Sequence, residues 1–166
     1  MQPTIITSRL NLNIVTEADY DFMMAIVNSK GWLEFIGDRN VHCKEDAIAY
    51  IKRILTTANL NYWVVTIKET NLPIGIISFI KRTYLDHFDI GFAFLPQFNG
   101  YGYAYEAAKE VLLIATQYPQ YDTILATTLP KNVKSITLLN KLGLQFYKAI
   151  KVDTDTLHVY SNTVTE

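Results

Sequence analysis

The sequence lacks the features that mark several protein classes. Its single cysteine, Cys43, allows neither an internal disulfide nor a cysteine-based zinc cluster. Its formal net charge of −1 leaves no basic surplus to hold a nucleic-acid backbone. No stretch approaches the roughly 20 apolar residues of a membrane span, and the N-terminus lacks the basic start and apolar run of a signal peptide. We therefore expect a soluble, cytoplasmic protein that contacts neither nucleic acid nor membrane.

Apolar residues are plentiful instead, at 49% of 166, which is enough for the core of one domain. No linker or internal repeat divides the chain, so residues 1–166 are expected to form a single domain. Hydrophobic periodicity predicts strands over 9–15, 62–68, 74–81, 89–95, 123–129, 145–152 and 156–161. It predicts helices from residue 17 onward and over 45–58, 103–118 and 133–142, with residues 29–44 irregular. This order is typical of an α/β or α+β fold with one sheet.

A strand, a two-glycine loop and a helix follow one another between residues 89 and 118. Gly100 and Gly102 let several amides converge on one anion, and the helix adds unpaired N–H groups and the positive end of its dipole. Because Tyr103 and Ala104 follow Gly102, the loop lacks the ending of a P-loop, and it also lacks the third glycine of a dinucleotide fingerprint. It fits Gln/Arg-x-x-Gly-x-Gly/Ala, which suits a pyrophosphate. A simple turn with two glycines before a helix would show the same letters.

Further marks occur in the order and spacing of one family. They are residues 7–10 (TSRL), 74–75 (IG), 91–92 (GF), 106–107 (EA), 132–135 (NVKS) and 138–143 (LLNKLG). With the glycine loop, they resemble the GCN5-related N-acetyltransferase (GNAT) superfamily and its RimJ/RimL-like branch over roughly residues 7–150. The resemblance implies a mixed, mostly antiparallel central sheet of about six or seven strands with about four helices, splayed at the CoA site. It implies a transferase that moves an acetyl group from acetyl-CoA to a primary amine by direct attack in a ternary complex, with no metal.

The resemblance also assigns the contacts of acetyl-CoA. The splayed strand pairs with the pantetheine arm, the loop wraps the pyrophosphate, and the next helix contributes two polar side chains. The residues concerned are Phe92, Ala93, Phe94, Gln97, Phe98, Asn99, Gly100, Tyr101, Gly102, Tyr103, Ala104, Asn132 and Ser135. One departure matters, because Tyr101 stands where family members often carry Lys or Arg. We therefore expect CoA binding to rely on backbone amides and to be weak and insensitive to salt.

Three side chains are candidates for the chemistry. Asp89 lies where relatives often have Glu, as a general base or amine-binding carboxylate, although a surface strand carboxylate would look the same. His87 shares its strand face at i, i+2 and is a candidate proton relay or merely a residue of the rim. Ser135 matches a serine proposed in some relatives to protonate the departing thiolate, and the Tyr that many relatives use further along this helix is Leu139 here. A backbone N–H of the splayed strand would stabilise the oxyanion.

The acceptor is expected between the first two helices, with Trp32, Phe35, Arg39 and Arg82 as its candidate contacts. Arg39 or Arg82 either binds a carboxylate of the acceptor or forms a surface salt bridge. The acceptor itself stays open between a protein N-terminus and a small-molecule amine, and a homodimer would match many relatives. The alternative to an enzyme is a non-catalytic module that binds or senses acyl-CoA, which is favoured if no carboxylate faces the thioester.

Overall fold

The computed structural model describes residues 1–163. Within them the chain forms eight strands and five α-helices. The strands are β1 (Thr4–Ile6), β2 (Leu10–Ile14), β3 (Leu60–Ile67), β4 (Pro73–Lys81), β5 (Phe88–Phe94), β6 (Ile124–Thr128), β7 (Gln145–Val152) and β8 (Asp155–Ser161). The helices are α1 (Tyr20–Val27), α2 (Lys30–Phe35), α3 (Lys44–Thr56), α4 (Tyr103–Ala115) and α5 (Val133–Lys141).

All eight strands form one sheet in the order β1-β2-β3-β4-β5-β6-β8-β7. Side chains of a strand alternate between the two faces, so each face receives its own apolar set. On one face Trp63 and Ile90 pack with Val111 of α4 and Leu139 of α5. On the other face Val64 and other side chains pack against α1 and α3. The sheet is therefore the middle layer of three.

The strands β5 and β6 separate soon after they meet. They are the parallel neighbours of the sheet, and their ladder joins Phe88 to Ile124 and Asp89 to Leu125 before it ends. Beyond those rungs β5 runs on to Phe94 and β6 to Thr128. The other neighbouring strands pair antiparallel. This confirms the predicted mixed, mostly antiparallel sheet and places its opening beside residues 90–94.

The predicted element count was slightly low. β1, which pairs with β2 from Thr4 to Ile6, was missing from the prediction because three residues are too few to show a period. α2 lies inside the segment 29–44 that was expected to be irregular, and its six residues complete fewer than two turns. α4 ends at Ala115 rather than at residue 118. The other predicted strands and helices agree with the structure to within two residues at most ends.

The length of the helices also bears on membranes. Within residues 1–163, none is both long enough and apolar enough to cross a bilayer.

Candidate active site

The loop before α4 presents a run of free amide groups. Gly100 and Gly102 have φ values of 88° and 80°, in the left-handed region that other residues rarely adopt. Gly102 is the N-cap residue of α4, and its carbonyl accepts from the amide of Glu106. The amides of residues 100–105 donate to no acceptor among the described residues. They lie at the positive end of the α4 dipole, an arrangement that suits an anion such as a phosphate group.

The opened edge of β5 lies beside this loop. The Leu95 amide donates to Ile74 O over 2.9 Å, which fixes the phase of the β4–β5 ladder. In an antiparallel pair alternate residues point their N–H and C=O groups to opposite sides. The backbone of Ala93 therefore points to Ile76 on β4, whereas the backbones of Phe92 and Phe94 point to the side from which β6 has departed. The sequence predicted cofactor contacts for Phe92, Ala93 and Phe94. The pairing of β4 with β5 leaves the backbone N–H and C=O groups of Phe92 and Phe94 free, so only these two could pair with an extended ligand.

A long-range ion pair braces the glycine loop from the turn before β2. Glu106 accepts hydrogen bonds from Thr7 Oγ1 at 2.6 Å, from the Arg9 amide at 2.8 Å and from Arg9 Nε at 2.6 Å. Arg9 NH1 then donates to Tyr101 O over 3.0 Å, and its guanidinium carbon lies 4.5 Å from the centre of the Tyr103 ring. Burial opposes ionisation of Glu106, but the hydrogen bonds and the charge of Arg9 outweigh it and lower the pKa of the carboxyl group. The Arg9–Glu106 pair thus holds the carbonyl between the two glycines.

Asp89 is buried at the point where β5 and β6 part. Its side chain is 1% exposed, and its Oδ2 atom accepts from Arg82 Nε at 2.7 Å and from Thr127 Oγ1 at 2.8 Å. Neither bond uses Oδ1. Burial raises the pKa of Asp89, and Arg82 and Thr127 offset part of that increase because they stabilise the ionised form. Burial also lowers the pKa of Arg82, but the charge of Asp89 outweighs this and raises it.

The loop between β4 and β5 adds a tyrosine to this group. Burial raises the pKa of the Tyr84 phenol, and among the charges near it Arg82 lowers the pKa while Asp89 raises it. The Arg82 guanidinium carbon lies 5.9 Å from the centre of the Tyr84 ring. Neither Tyr84 nor Thr127 was singled out from the sequence. Only the parallel register that sets Asp89 beside Leu125 brings Thr127 to the carboxylate.

Two residues at the start of α5 stand across the opening from β5. Asn132 is the N-cap residue of the helix, and its Oδ1 atom accepts from the Ser135 amide over 3.2 Å. This bond fixes the carboxamide oxygen and leaves Nδ2 as a donor. Ser135 lies in the first turn and is partly exposed, and its hydroxyl makes no hydrogen bond to any described residue. Asn132 Nδ2 and Ser135 Oγ are therefore free of hydrogen bonds to the described residues.

Comparison with known proteins decides the family. The model of a protein family described as an acetyltransferase (GNAT) domain matches residues 9–145. The chain belongs to the GNAT acetyltransferase family. With the family comes the class of enzyme, an acyl-CoA-dependent N-acetyltransferase.

Individual GNAT proteins agree with this assignment. The chain is 26% identical over 141 residues to an uncharacterized N-acetyltransferase, YnaD of Bacillus subtilis, which covers 85% of this chain and 82% of YnaD. A GNAT acetyltransferase structure from Bacillus anthracis matches with a TM-score of 0.80 at 21% identity, covering 95% of this chain and 96% of that one. RimL, a ribosomal-protein alpha-N-acetyltransferase solved in complex with coenzyme A, matches with a TM-score of 0.77 at 13% identity and 95% coverage of each chain. The solved structures share the fold.

The acceptor candidates lie on the α1 and α3 side of this GNAT sheet. Trp32 is buried in the apolar cluster of that face, and the Arg39 guanidinium carbon lies 5.9 Å from the centre of its ring. Phe35, also from α2, lies 5.9 Å from the Lys131 ammonium group in the loop before α5. Arg82 Nε forms a salt bridge with Asp89, so this nitrogen already fulfils one of the two roles expected for Arg82. The structure thus brings α2 close to the start of α5.

His87 is placed apart from this group. It is exposed, precedes the first residue of β5, and lines a hollow with Tyr147, Lys148 and Ser161. Asp89 takes its hydrogen bonds from Arg82 and Thr127 and none from His87. The geometry therefore provides no direct relay from His87 to Asp89. In the described part of the chain, no three His, Cys, Asp or Glu side chains are grouped as ligands of a metal would be.

Proposed function

We propose that this GNAT enzyme binds acetyl-CoA along the opening between β5 and β6 and transfers its acetyl group to a primary amine. The observation that carries the proposal is the run of free amides at residues 100–105 beside the unpaired edge of β5. An extended chain ending in phosphate groups matches both parts. The pantetheine arm would pair with the backbones of Phe92 and Phe94, and the pyrophosphate would accept hydrogen bonds from the loop.

The remaining cofactor contacts follow from this placement. Residues 97–104 would surround the phosphates, and Asn132 would donate from Nδ2 to a carbonyl oxygen of the arm. RimL, with the same fold, is known in complex with coenzyme A, which supports this site for the donor. The loop lacks a cation of its own, because Tyr101 replaces one, and the neighbouring Arg9 is already neutralised by Glu106. Binding would depend on amides and be insensitive to salt.

The chemistry needs a neutral amine. A lysine ε-amine is neutral in about one molecule per thousand near pH 7, whereas an α-amine is neutral in about one in six. Asp89 is the proposed base, acting through Oδ1 or through one water. The amine nitrogen attacks the thioester carbonyl, and a backbone N–H of β5 stabilises the oxyanion that forms. The C–S bond then breaks, the amine proton passes to Asp89, and Ser135 gives a proton to the departing thiolate. Ser135 then recovers a proton from solvent, and Asp89 releases its proton to solvent, which restores both groups for the next turnover.

Ser135 has a natural comparison on its own helix. Thr137 Oγ1 donates to Val133 O over 2.9 Å on the exposed side of α5. If Ser135 protonates the thiolate, Ser135→Ala lowers kcat by about tenfold or more, since positioned proton transfer contributes roughly 100- to 10,000-fold in general. Thr137→Ala is expected to leave kcat unchanged. Equal rates in the two variants would remove Ser135 from the mechanism.

The proposal is tested by measuring acetyl-CoA binding by calorimetry and then the release of CoA thiol over an acceptor screen. Cys43 is exposed and would react with a thiol reagent, so the assay is run in a Cys43→Ser background. We expect saturable binding of acetyl-CoA and thiol release that requires an amine. A protein that binds no acetyl-CoA would overturn the donor assignment. Binding without thiol release for any amine would favour a sensor instead.

A further inference from the structure

Two buried hydrogen-bond donors on the acceptor side have no partner. The side chains of Tyr62 and Trp32 are 8% and 4% exposed, and both belong to the apolar cluster between the sheet and α1 and α3. The Tyr62 hydroxyl and the Trp32 indole N–H make no hydrogen bond among the described residues. A buried donor without a partner is costly, and folded proteins rarely keep one unless a bound molecule or an ordered water completes it.

Guanidinium charges act on the surroundings of both donors. The Arg39 guanidinium carbon lies 5.9 Å from the centre of the Trp32 ring, and the charges of Arg39 and Arg82 both lower the pKa of the Tyr62 phenol. Burial raises the pKa of Tyr62 well above its ordinary value, Tyr50 adds to that rise, and the two arginines oppose it. Tyr50 is therefore a close neighbour, although its geometry with Tyr62 is not that of a hydrogen bond. The side chains of this group come from α2, α3, β3 and the loops after α2 and β4.

The sheet register joins this group to the site of the reaction. Tyr62 pairs with Ser78 on β4, and Ser78 pairs with Gly91 on β5, so the three residues form one row across three strands. Adjacent strands lie about 4.8 Å apart, so the row spans roughly 10 Å. Ser78 Oγ leans over Gly91, where an added Cβ would lie 2.6 Å from it. Asp89 is two residues along β5 and faces the same side.

Hydrogen-bond donors and positive charges predominate in this group of side chains. Tryptophan N–H and guanidinium groups can only donate hydrogen bonds. The carboxylate of Asp89 is already paired with Arg82, and Asp38 accepts from the Asn40 amide over 2.7 Å. Two guanidinium groups and two neutral donors are thus set against one engaged buried carboxylate. A group of this composition attracts an anion and repels a polyamine.

We propose that these donors line a pocket that binds a carboxylate of the acceptor, which is a small amine of the amino-acid class. The inference rests on the proposed function and narrows its acceptor. The carboxylate would take hydrogen bonds from Tyr62, Trp32 and Arg39, with Arg82 contributing the nitrogens that Asp89 does not use. The amine at the other end of the acceptor would lie toward Asp89 and the opening of the sheet.

The first test compares acids with their amides. The twenty L-amino acids and ω-amino acids of three to six carbons are each paired with the corresponding amide, and kcat/KM is measured for both at saturating acetyl-CoA. For at least one pair we expect the acid to exceed its amide by about 10- to 100-fold, the usual strength of hydrogen bonds to a charged group. The inference is rejected if no acid exceeds its amide.

A second readout follows binding without turnover. The chain has two tryptophans, and Trp63 is fully buried in the other cluster, so Trp63→Phe leaves Trp32 as the reporter. Saturation with a carboxylate amine is expected to change the emission of Trp32, and its amide is expected to have no effect at the same concentration. If Trp63→Phe does not fold, the kinetic comparison in the unaltered protein still decides. Equal responses to acid and amide would contradict the inference.

The pocket residues are then changed individually. Tyr62→Phe and Arg39→Gln are expected to lower kcat/KM for the acid by about 10- to 100-fold and to leave the amide unaffected. Because Tyr62→Phe removes an unpaired buried hydroxyl, its melting temperature should not fall, which a purely structural role would require. Arg53→Gln is the control, because the Arg53 guanidinium lies 5.2 Å from the Tyr50 ring centre on α3 but does not flank Tyr62.

These outcomes separate the inference from the proposed function. Acetyl-CoA binding is measured for every variant in the absence of an acceptor and is expected to stay within about twofold of the starting protein, because none of the changes touches the glycine loop. Normal acetyl-CoA binding with turnover of amides or peptides in preference to acids would reject the carboxylate pocket alone. Loss of acetyl-CoA binding in the unaltered protein would reject the donor site instead.

Discussion

Arg82 Nε lies 2.7 Å from Asp89 Oδ2, and the two side chains differ sharply in exposure, 32% for Arg82 against 1% for Asp89. The Asp89 carboxylate is buried, whereas the Arg82 side chain that pairs with it reaches the surface. If Asp89 is the base, only its ionised form works, so kcat/KM falls as the pH drops through its raised pKa. Asp89→Asn is expected to lower kcat/KM by about 100-fold or more and to remove this acid limb. A pH–rate profile measures both.

Asp86→Asn is the matched control for that change. Asp86 is exposed in the loop before β5, so its loss is expected to alter neither the rate nor the profile. An acid limb that survives in Asp89→Asn would assign it to another group.

Arg82→Gln tests the same pair from its exposed side. Without the guanidinium the pKa of Asp89 rises further, so the acid limb moves to higher pH. A carboxyl group whose folded pKa exceeds its unfolded pKa favours the folded state at low pH, and this advantage is lost as pH rises from the unfolded to the folded value. The free energy of unfolding of the variant should therefore be lower than that of the starting protein by about 3 kcal/mol at neutral pH, and this difference should become smaller at acidic pH. Urea unfolding at several pH values measures it.

Two glycines give a matched test of the amide loop. Gly100 and Gly143 have nearly the same φ, 88° and 87°, and neither has an atom within 4 Å of an added Cβ. A glutamate therefore strains the backbone equally at both positions, but only at Gly100 does it bring a negative charge to the amides. Gly100→Glu is expected to weaken acetyl-CoA binding by 100-fold or more, about 3 kcal/mol for loss of charge-assisted hydrogen bonds, while Gly143→Glu binds normally. Isothermal titration calorimetry distinguishes them, and equal affinities would place the phosphates elsewhere.

Glu106→Gln removes a negative charge beside the glycine loop and keeps a side chain of nearly the same size and shape. Arg9 then carries an uncompensated charge beside Tyr101, so acetyl-CoA affinity should become salt-dependent, whereas in the starting protein it varies little with ionic strength. The lowered pKa of Glu106 stabilises the fold at neutral pH, and this contribution disappears as the pH falls from the ordinary glutamate value through the lowered one. The variant is expected to be about 1–3 kcal/mol less stable at pH 7, with a smaller deficit near pH 3.

Glu110→Gln serves as the control for both readouts, because Glu110 lies one turn further along α4 and makes no salt bridge with any described residue. A salt dependence already present in the starting protein would show that another cation reaches the phosphates.

Local signals were enough to predict the loop and the helix after it. Two glycines and a proline set the turn before α4, and the residues that follow repeat with helical period, so neighbouring positions alone determine this part of the site. The opening of the sheet was predicted too, although from resemblance to a family, because no property of β5 or β6 alone states where their pairing ends. The strand, the loop and the helix follow one another as predicted.

The side-chain contacts that the sequence did not predict all join segments that are far apart along the chain. Arg9 and Glu106 are separated by 97 positions, and Thr127 by 38 from Asp89, so neither pair leaves a periodic trace in the sequence. Tyr62 reads as an ordinary strand residue until the register shows which face meets α3. Alternation along β3 could have grouped Tyr62 with Val64, but not with Arg39, because the loop after α2 has no period from which its position follows.

The ladder that ends at Asp89 also divides the sheet mechanically. Five strands lie on one side of that junction and three on the other, and the two rungs at Phe88 and Asp89 are the backbone pairing that joins them. The last rung lies at Asp89, and the same residue carries the buried charge. Any change in the angle between the two halves acts directly on the carboxylate and on Thr127 across from it. The angle between the two halves of the sheet and the surroundings of the buried carboxylate therefore depend on the same residue.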